Sequence, residues 1–216
     1  MTILPVFIAF TGVDDPASVP GLRALSARYP IEWGILLDDA QTRDALFPDA
    51  AARAALLGAP GLRWAAHVCG AQAKLIAETP DRATVDLAGF QRVQVNHGFS
   101  GSSADQVANV MCFGRARGVR TLLQTLDDFP AENRVDWLFD VSFGTGAKPS
   151  AWPPLPVSGP FCGYSGGINP ANAASVVAAI AAPQGAQYWI DMESGVRTDG
   201  RFDLDKCEAV CRAVYG

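Results

Sequence analysis

Eight short, almost wholly apolar runs of β-type residues recur along the chain, and helical stretches separate most of them. The runs are Leu4–Phe10, Ile31–Leu37, Leu62–Val68, Arg92–Asn96, Arg120–Leu126, Val135–Val141, Phe161–Tyr164 and Tyr188–Met192. A strand packed on both faces reads as a near-continuous hydrophobic run, whereas a half-solvated strand alternates, so these runs predict a parallel sheet covered on both sides. Helices are predicted at Pro16–Arg28, Asp49–Leu57, Gln72–Glu78, Ser103–Arg117, Pro170–Ala181 and Leu204–Val214. Asp127–Asn133 is too short for more than a turn or two of helix, and Phe143–Gly159, rich in Pro and Gly, reads as a long loop.

Eight such strands with helices between them is the count of an α/β fold of the closed (β/α)8 type. The 216 residues suit a single domain of that kind, and no linker-like change of composition divides them. An open doubly wound sheet would carry a glycine fingerprint after its first strand. Here Thr11-Gly12-Val13-Asp14-Asp15-Pro16 lacks the second and third glycines, and Asp15-Pro16 reads instead as a helix start. Barrel chemistry belongs at the C-terminal ends of the strands. That rule selects Thr11, Asp38, Asp39, His67, Cys69, Asn96, His97, Asp127, Asp140, Ser165 to Gly167 and Asp191 to Arg197.

Charge narrows the partners. With 22 acidic against 17 basic side chains the net charge is −5, which provides no basic field for a phosphate backbone, so a small molecule is expected rather than nucleic acid. No window reaches the roughly 18 apolar residues of a membrane span. The apolar start lacks the positively charged region of an export signal and reads as a buried strand; the cysteine usage points to a reducing compartment, so a cytoplasmic location is expected. The five cysteines form no Cys-x-x-Cys pair, and Cys207 and Cys211 read as buried thiols on one helix. The two histidines are not at ligand spacing with each other, and neither a metal nor a cofactor is expected. Alanine-rich outer helices suit a monomer or a homodimer equally.

The most informative segment is Tyr164-Ser165-Gly166-Gly167-Ile168-Asn169-Pro170-Ala171-Asn172. A strand ends in paired glycines and a helix follows, with Asn169 as N-cap and Pro170 at its first position. Glycines admit close approach of a ligand to the backbone, and free amides at a helix start favour an anion, so this is a phosphate site in outline; glycines that merely permit a tight turn are the plainer reading. Two further segments carry information: Leu138-Phe139-Asp140-Val141-Ser142-Phe143-Gly144-Thr145-Gly146 with Trp152 beyond it, and Ile190-Asp191-Met192-Glu193-Ser194-Gly195-Val196-Arg197.

Taken in order, these three segments resemble the second half of the phosphoribosylanthranilate isomerase family. There a strand ends in an aspartate before a Gly-Thr-Gly loop, the next ends in Ser-Gly-Gly-Leu-Asn-Pro-Glu-Asn, and the last in Asp-Val-Ser-Ser-Gly-Val-Glu. The first half is similar but weaker: Ile8 to Val13 stands at the family's Lys-Ile-Cys-Gly-Ile motif, Arg43 falls where a substrate-binding arginine lies, and Val93-Gln94-Val95-Asn96 replaces Val-Gln-Leu-His. The resemblance implies an Amadori-type aldose–ketose isomerisation of a phosphorylated ribosylamine, without cofactor or metal. It places the general acid at Asp140 and the base position at Thr11, and it implies substrate binding by Arg43, Gln94, Asn96 and Asp191 and phosphate binding by Gly166, Gly167, Ser194 and Gly195.

Four positions depart from the family. Thr11 replaces the cysteine base, and a hydroxyl does not act as a base unless another group activates it. Glu193 stands beside the expected phosphate and repels it if it points inward; Arg197 either pairs with Glu193 or supplies phosphate charge; Asn96 replaces a histidine. His67 and Cys69, two strands from the first, are expected to lie too far from Thr11 to substitute, since neighbouring strands are about 4.8 Å apart. Cys69 then reads as a buried structural thiol and His97 as a solvent-facing loop residue. Three functions stay open: an isomerase of this type, a barrel of the same descent acting on another sugar-like substrate, and a binding or regulatory barrel without catalysis.

Overall fold

The computed structural model describes residues 2–40, 46–98, 101–142 and 145–216. Eight parallel strands close a barrel in sequence order: β1 Phe7–Thr11, β2 Ile31–Leu37, β3 Trp64–Val68, β4 Arg92–Val95, β5 Arg120–Thr125, β6 Asp136–Phe139, β7 Cys162–Tyr164 and β8 Tyr188–Met192, which pairs with β1. The fold is therefore the expected (β/α)8 barrel. One boundary matters for chemistry: β1 runs on to Thr11, which pairs with Gly34 of β2, so the threonine belongs to the barrel wall and not to a loop.

The helices are α1 Val19–Ser26, α2 Ala50–Leu57, α3 Gly70–Glu78, α4 Ala104–Arg117, α5 Ala173–Ile180 and α6 Leu204–Tyr215. Polar caps set their starts: Asp49 accepts from the Ala52 amide, Asp203 from those of Asp205 and Lys206, and Ser103 with Gln106 forms a capping box. α5 begins at Ala173, later than the expected Pro170, because Asn169 spends its side chain on the Ala171 amide in a turn of its own. Asn172 is left as the residue before the helix.

No helix follows β5, and among the described residues none follows β6. Aromatic rings close that side. Phe129 and Trp152 pack edge-on against Tyr164 at 5.1 and 5.9 Å, the Tyr164 hydroxyl donates to the Pro153 carbonyl, and the Trp137 indole donates to the Glu132 carbonyl. A hairpin of β9 (Arg197–Thr198) and β10 (Arg201–Phe202) precedes α6, with Asp199 and Gly200 at φ of 51° and 75° in its turn. The Asp-Gly dipeptide is the usual signal for such a turn.

Apolar packing falls into two bodies. The larger lies between the strands and their covering; the smaller fills the barrel interior with Phe7, Ala9, Leu122, Leu138 and Trp189, against which Phe161 packs. Gly163 makes room for the Trp189 ring, since a Cβ there would stand 2.1 Å from it. At the N-terminal end of the strands the interior is charged. Arg92 Nε lies 3.1 Å from Glu32 Oε1, at ion-pair distance though off hydrogen-bond angle, and Arg63 and Arg120 reach Glu32 and Asp136 at 3.0 and 2.7 Å. The Arg92 guanidinium stacks 4.2 Å above Trp189.

Candidate active site

The opposite, C-terminal end of the strands opens into a cavity of about 580 Å³, within the range of small-molecule sites. Thr11, His67, Gln94, Gln124, Asp140 and Asp191 line it from six different strands or their ends, and Asn96, Ser142, Gly166, Gly167, Glu193 and Ser194 line it from the loops. The barrel's geometry thus brings together most of the positions selected from sequence.

At the wall of this cavity three buried polar side chains form a chain. The Thr11 hydroxyl donates to Asp191 Oδ1 at 2.9 Å, and His67 Nε2 lies 3.1 Å from the same hydroxyl oxygen. Threonine has one hydroxyl proton, so with that proton on the Asp191 bond the imidazole must be the donor and carry its hydrogen on Nε2. This contact corrects the expectation that His67 is out of reach of Thr11. The cause is Gly34 on the intervening strand: a Cβ there would lie 2.6 Å from Thr11 Oγ1 and 2.9 Å from His67 Nε2.

Burial acts on the two ends of this chain in opposite senses. It pushes the His67 imidazole down to about 3, helped by the positive charge of Arg92, so the ring is neutral near pH 7. Burial pushes the Asp191 carboxyl up to about 7, with the charges of Asp140 and Glu193 adding and the Thr11 hydrogen bond and Arg92 opposing. Glu193 is also raised, by burial first and Asp140 second, against the pull of Arg197. Asp140 is held in place by three donors: the Ser142 amide at 2.8 Å, the Ser142 hydroxyl at 2.7 Å and Gln124 Nε2 at 3.2 Å.

On the far wall Gln94 Nε2 donates to Asn96 Oδ1 at 2.9 Å, and Asn96 Nδ2 donates to Cys69 Sγ at 3.3 Å. Cys69 is half-buried on the cavity wall and its thiol is pushed up, chiefly by burial. His97 differs from the solvent-facing residue expected: it is half-buried, touches the Ser102 hydroxyl at 2.8 Å and lines the cavity. Lys74 of α3 also reaches the rim. Sequence reasoning missed it because an exposed lysine in mid-helix carries no signal of its own.

The glycine turn holds mixed features for an anion. Gly166 and Gly167 adopt φ of 115° and 62° and face the cavity, yet the loop after β6 packs on them, with the Gly146 carbonyl 2.9 Å from where a Gly167 Cβ would stand. Gly195 packs against the Ile168 carbonyl, 2.0 Å from where its Cβ would be, and is not among the lining residues. Of the amides at the expected helix start, that of Asn169 donates to Asn172 Oδ1 and that of Ala171 to Asn169 Oδ1. Arg197 donates to the Gly12 carbonyl at 2.8 Å and to Asp14 at 2.7 Å, and from there its charge still acts on Glu193. Arg43 lies outside the described residues. Among the described residues no group of three or more side chains is arranged to hold a metal, and no helix is long and apolar enough to cross a membrane.

These features define a closed (β/α)8 barrel with a polar, acid-rich cavity at its C-terminal mouth. Solved structures share that fold over nearly the whole chain. The N-(5'-phosphoribosyl)anthranilate isomerase of Pyrococcus furiosus aligns with a TM-score of 0.61 at 14% identity, covering 97% of this chain and 98% of its own. Monomers of the dimeric phosphoribosylanthranilate isomerase of Thermotoga maritima align at 0.50 and 12%, covering 97% and 98%. The tryptophan synthase α-subunit of Pyrococcus furiosus aligns at 0.52 and 12%, covering 99% and 98%. At such identities the likeness is one of fold. No protein-family profile matches the chain, and no curated protein matches it in sequence.

Proposed function

We propose that this chain is an acid–base isomerase of a small sugar-type substrate, interconverting aldose and ketose forms without metal or cofactor. The observation that carries this reading is the pair of carboxyls, Asp140 after β6 and Asp191 on β8, which line one cavity in unlike surroundings. Asp140 accepts three hydrogen bonds, whereas Asp191 accepts one and is poised near neutral pH. Two carboxyls held by different hydrogen-bond partners suit the two halves of an isomerisation, in which one proton leaves carbon and another reaches oxygen. The resemblance assigns the acid to Asp140; the surroundings favour Asp191 as the group that exchanges a proton near pH 7. The shared barrel with phosphoribosylanthranilate isomerases supports the same class of reaction.

Gln94 and Asn96 offer hydrogen bonds to substrate hydroxyls from the far wall. A phosphate, if the substrate bears one, seats at Gly166, Gly167 and Ser194, with Gly195 behind them. Glu193 lines the same cavity, and the nearby charge of Arg197 offsets part of the repulsion such a phosphate would meet. The chain acts as one domain.

The test is incubation in D2O with phosphoribosylanthranilate, ribose 5-phosphate or ribose, read by NMR for deuterium at C1 of the ketose product and at C2 of the recovered aldose. Incorporation that is lost in Asp191→Asn and in Asp140→Asn is the expected result. Absence of incorporation with all three probes overturns the sugar-isomerase reading.

A further inference from the structure

Thr11 poses a problem for any isomerase built on this barrel, because an unassisted hydroxyl is too weak a base to take a proton from carbon. The structure surrounds it with what a relay requires. Its proton already points at a carboxylate oxygen of Asp191, 2.9 Å away. One lone pair of its oxygen is taken by His67 at 3.1 Å, and the residue lines the cavity, which leaves the second lone pair as the one available to a substrate. All three side chains are at most 5% exposed, so they keep this arrangement away from bulk water.

We propose that Thr11 is a proton-relay residue between substrate and Asp191, with His67 as the residue that positions it and steadies its oxygen. This rests on the isomerase reading of the same cavity and assigns to its residues a step that reading leaves open. As the substrate C–H bond breaks, its electron pair stays on the substrate as an enediolate and the proton passes to Thr11 Oγ1. In the same movement the original hydroxyl proton leaves Oγ1 for Asp191 Oδ1. Thr11 ends as it began, and Asp191 holds the proton for return to the neighbouring carbon. His67 Nε2–H stays bonded to Oγ1 throughout and offsets the partial negative charge that gathers there. A histidine that titrated near pH 7 would keep this bond but bring a full positive charge into the site; burial keeps the ring neutral. Gly34 is part of the same device, since a side chain on β2 would separate Thr11 from His67.

The chain has only two histidines, so its imidazole nitrogen NMR spectrum is readily assigned with His97→Gln. Above about pH 8 the hydrogen of His67 is expected on Nε2; a hydrogen on Nδ1 overturns the relay. On acidification the Nε2 resonance should shift with a midpoint near the Asp191 value of about 7. The charged groups bearing on Asp191 are Asp140, Glu193 and Arg92, and only Arg92 bears strongly on His67. The midpoint should therefore survive in Glu193→Gln, vanish in Asp191→Asn, vanish in Thr11→Val and return in Thr11→Ser. No midpoint in the wild type overturns the proposal whatever the substrate proves to be. In the deuterium assay Thr11→Val should lose about 100-fold or more and Thr11→Ser less than about tenfold. Full exchange by a folded Thr11→Val, alongside a dead Asp191→Asn, leaves the isomerase reading intact and overturns the relay alone.

Discussion

The two ends of this barrel bury ionisable side chains to a similar depth and do opposite things with them. At the N-terminal end Arg92, Glu32 and Asp136 alternate in sign, and aromatic rings of Phe7 and Trp189 cover the guanidinium. At the C-terminal end Asp140, Asp191 and Glu193 share one sign, and burial shifts Asp191 and Glu193 toward their protonated forms. Opposite charges in contact offset each other even where no hydrogen bond forms; like charges around a cavity leave a proton poised. One end is a plug and the other a site. Arg92 links them, because its charge lowers both His67 and Asp191.

Breaking the plug should have the largest effect. Arg92→Met removes the cation that Glu32, wholly buried, meets from inside the barrel, and among the described residues leaves it Arg63 alone. Loss of one partner from a buried pair costs about 3–5 kcal/mol. Urea denaturation should show a loss of that order, and the apparent titrations of His67 and Asp191 should both move upward in the same variant. A loss with no movement of either group would mean that the two ends are independent.

The site should behave in the reverse manner. Asp191 ionises near 3.9 in the unfolded chain and about 7 in the folded one, so between these values the native state holds a proton that the unfolded state has released. Its contribution therefore falls as pH rises through that window, by on the order of 4 kcal/mol if no water enters. His67, depressed to about 3 from about 6.5, works the other way: below about pH 6.5 the unfolded state binds a proton that the native ring refuses, so stability rises with pH. In the wild type the two slopes oppose each other. Asp191→Asn should expose the His67 slope and be more stable than the wild type at about pH 8, as measured by urea midpoints across the pH range. Glu193, raised in the same sense as Asp191, leaves a residual fall in the variant.

How far sequence reaches also differs between the two ends. The eight strands are legible because each is buried on both faces and so reads as a plain apolar run, and the barrel rule alone puts Asp140 and Asp191 at one mouth. The Thr11–His67 contact was not legible. Strand counting puts β1 and β3 roughly 10 Å apart, and only the register of Gly34 against Thr11 shows that the strand between them is bare at that level. The Asp199-Gly200 turn had a clear signal, whereas the choice between Asn169 and Asn172 before α5 had none, since both are cap residues.

Two strand glycines turn that lesson into a smaller test. Gly163 makes room for the apolar Trp189 ring in the plug, and Gly34 makes room for the Thr11–His67 contact in the site. Alanine at either position overpacks the interior and should cost about 1–3 kcal/mol. The pH behaviour should separate them. Gly34→Ala wedges Thr11 from His67 and should disturb the Asp191 titration, whereas Gly163→Ala should lower the thermal midpoint and leave that titration in place.

The smallest effect is expected at the rim of the plug. Arg120 Nη2 lies 2.7 Å from Asp136 Oδ1, a shorter contact than the 3.1 Å between Arg92 and Glu32. Distance alone would rank Arg120 first. Its side chain, however, is 61% exposed against 3% for Arg92, so water and salt can take its place when it is removed. Asp136 itself is 8% exposed, so only the arginine end of the pair is wet, and with water able to take that place the pair is worth about the 1 kcal/mol of a surface pair. Arg120→Ala should therefore cost no more than that, and the cost should shrink further at high ionic strength, where exposed charges are screened. The Arg92→Met loss should hold at the same ionic strength, because its partners lie inside the barrel. Equal losses for the two arginines, or a salt-sensitive loss for Arg92, would show that contact distance and not burial governs the plug.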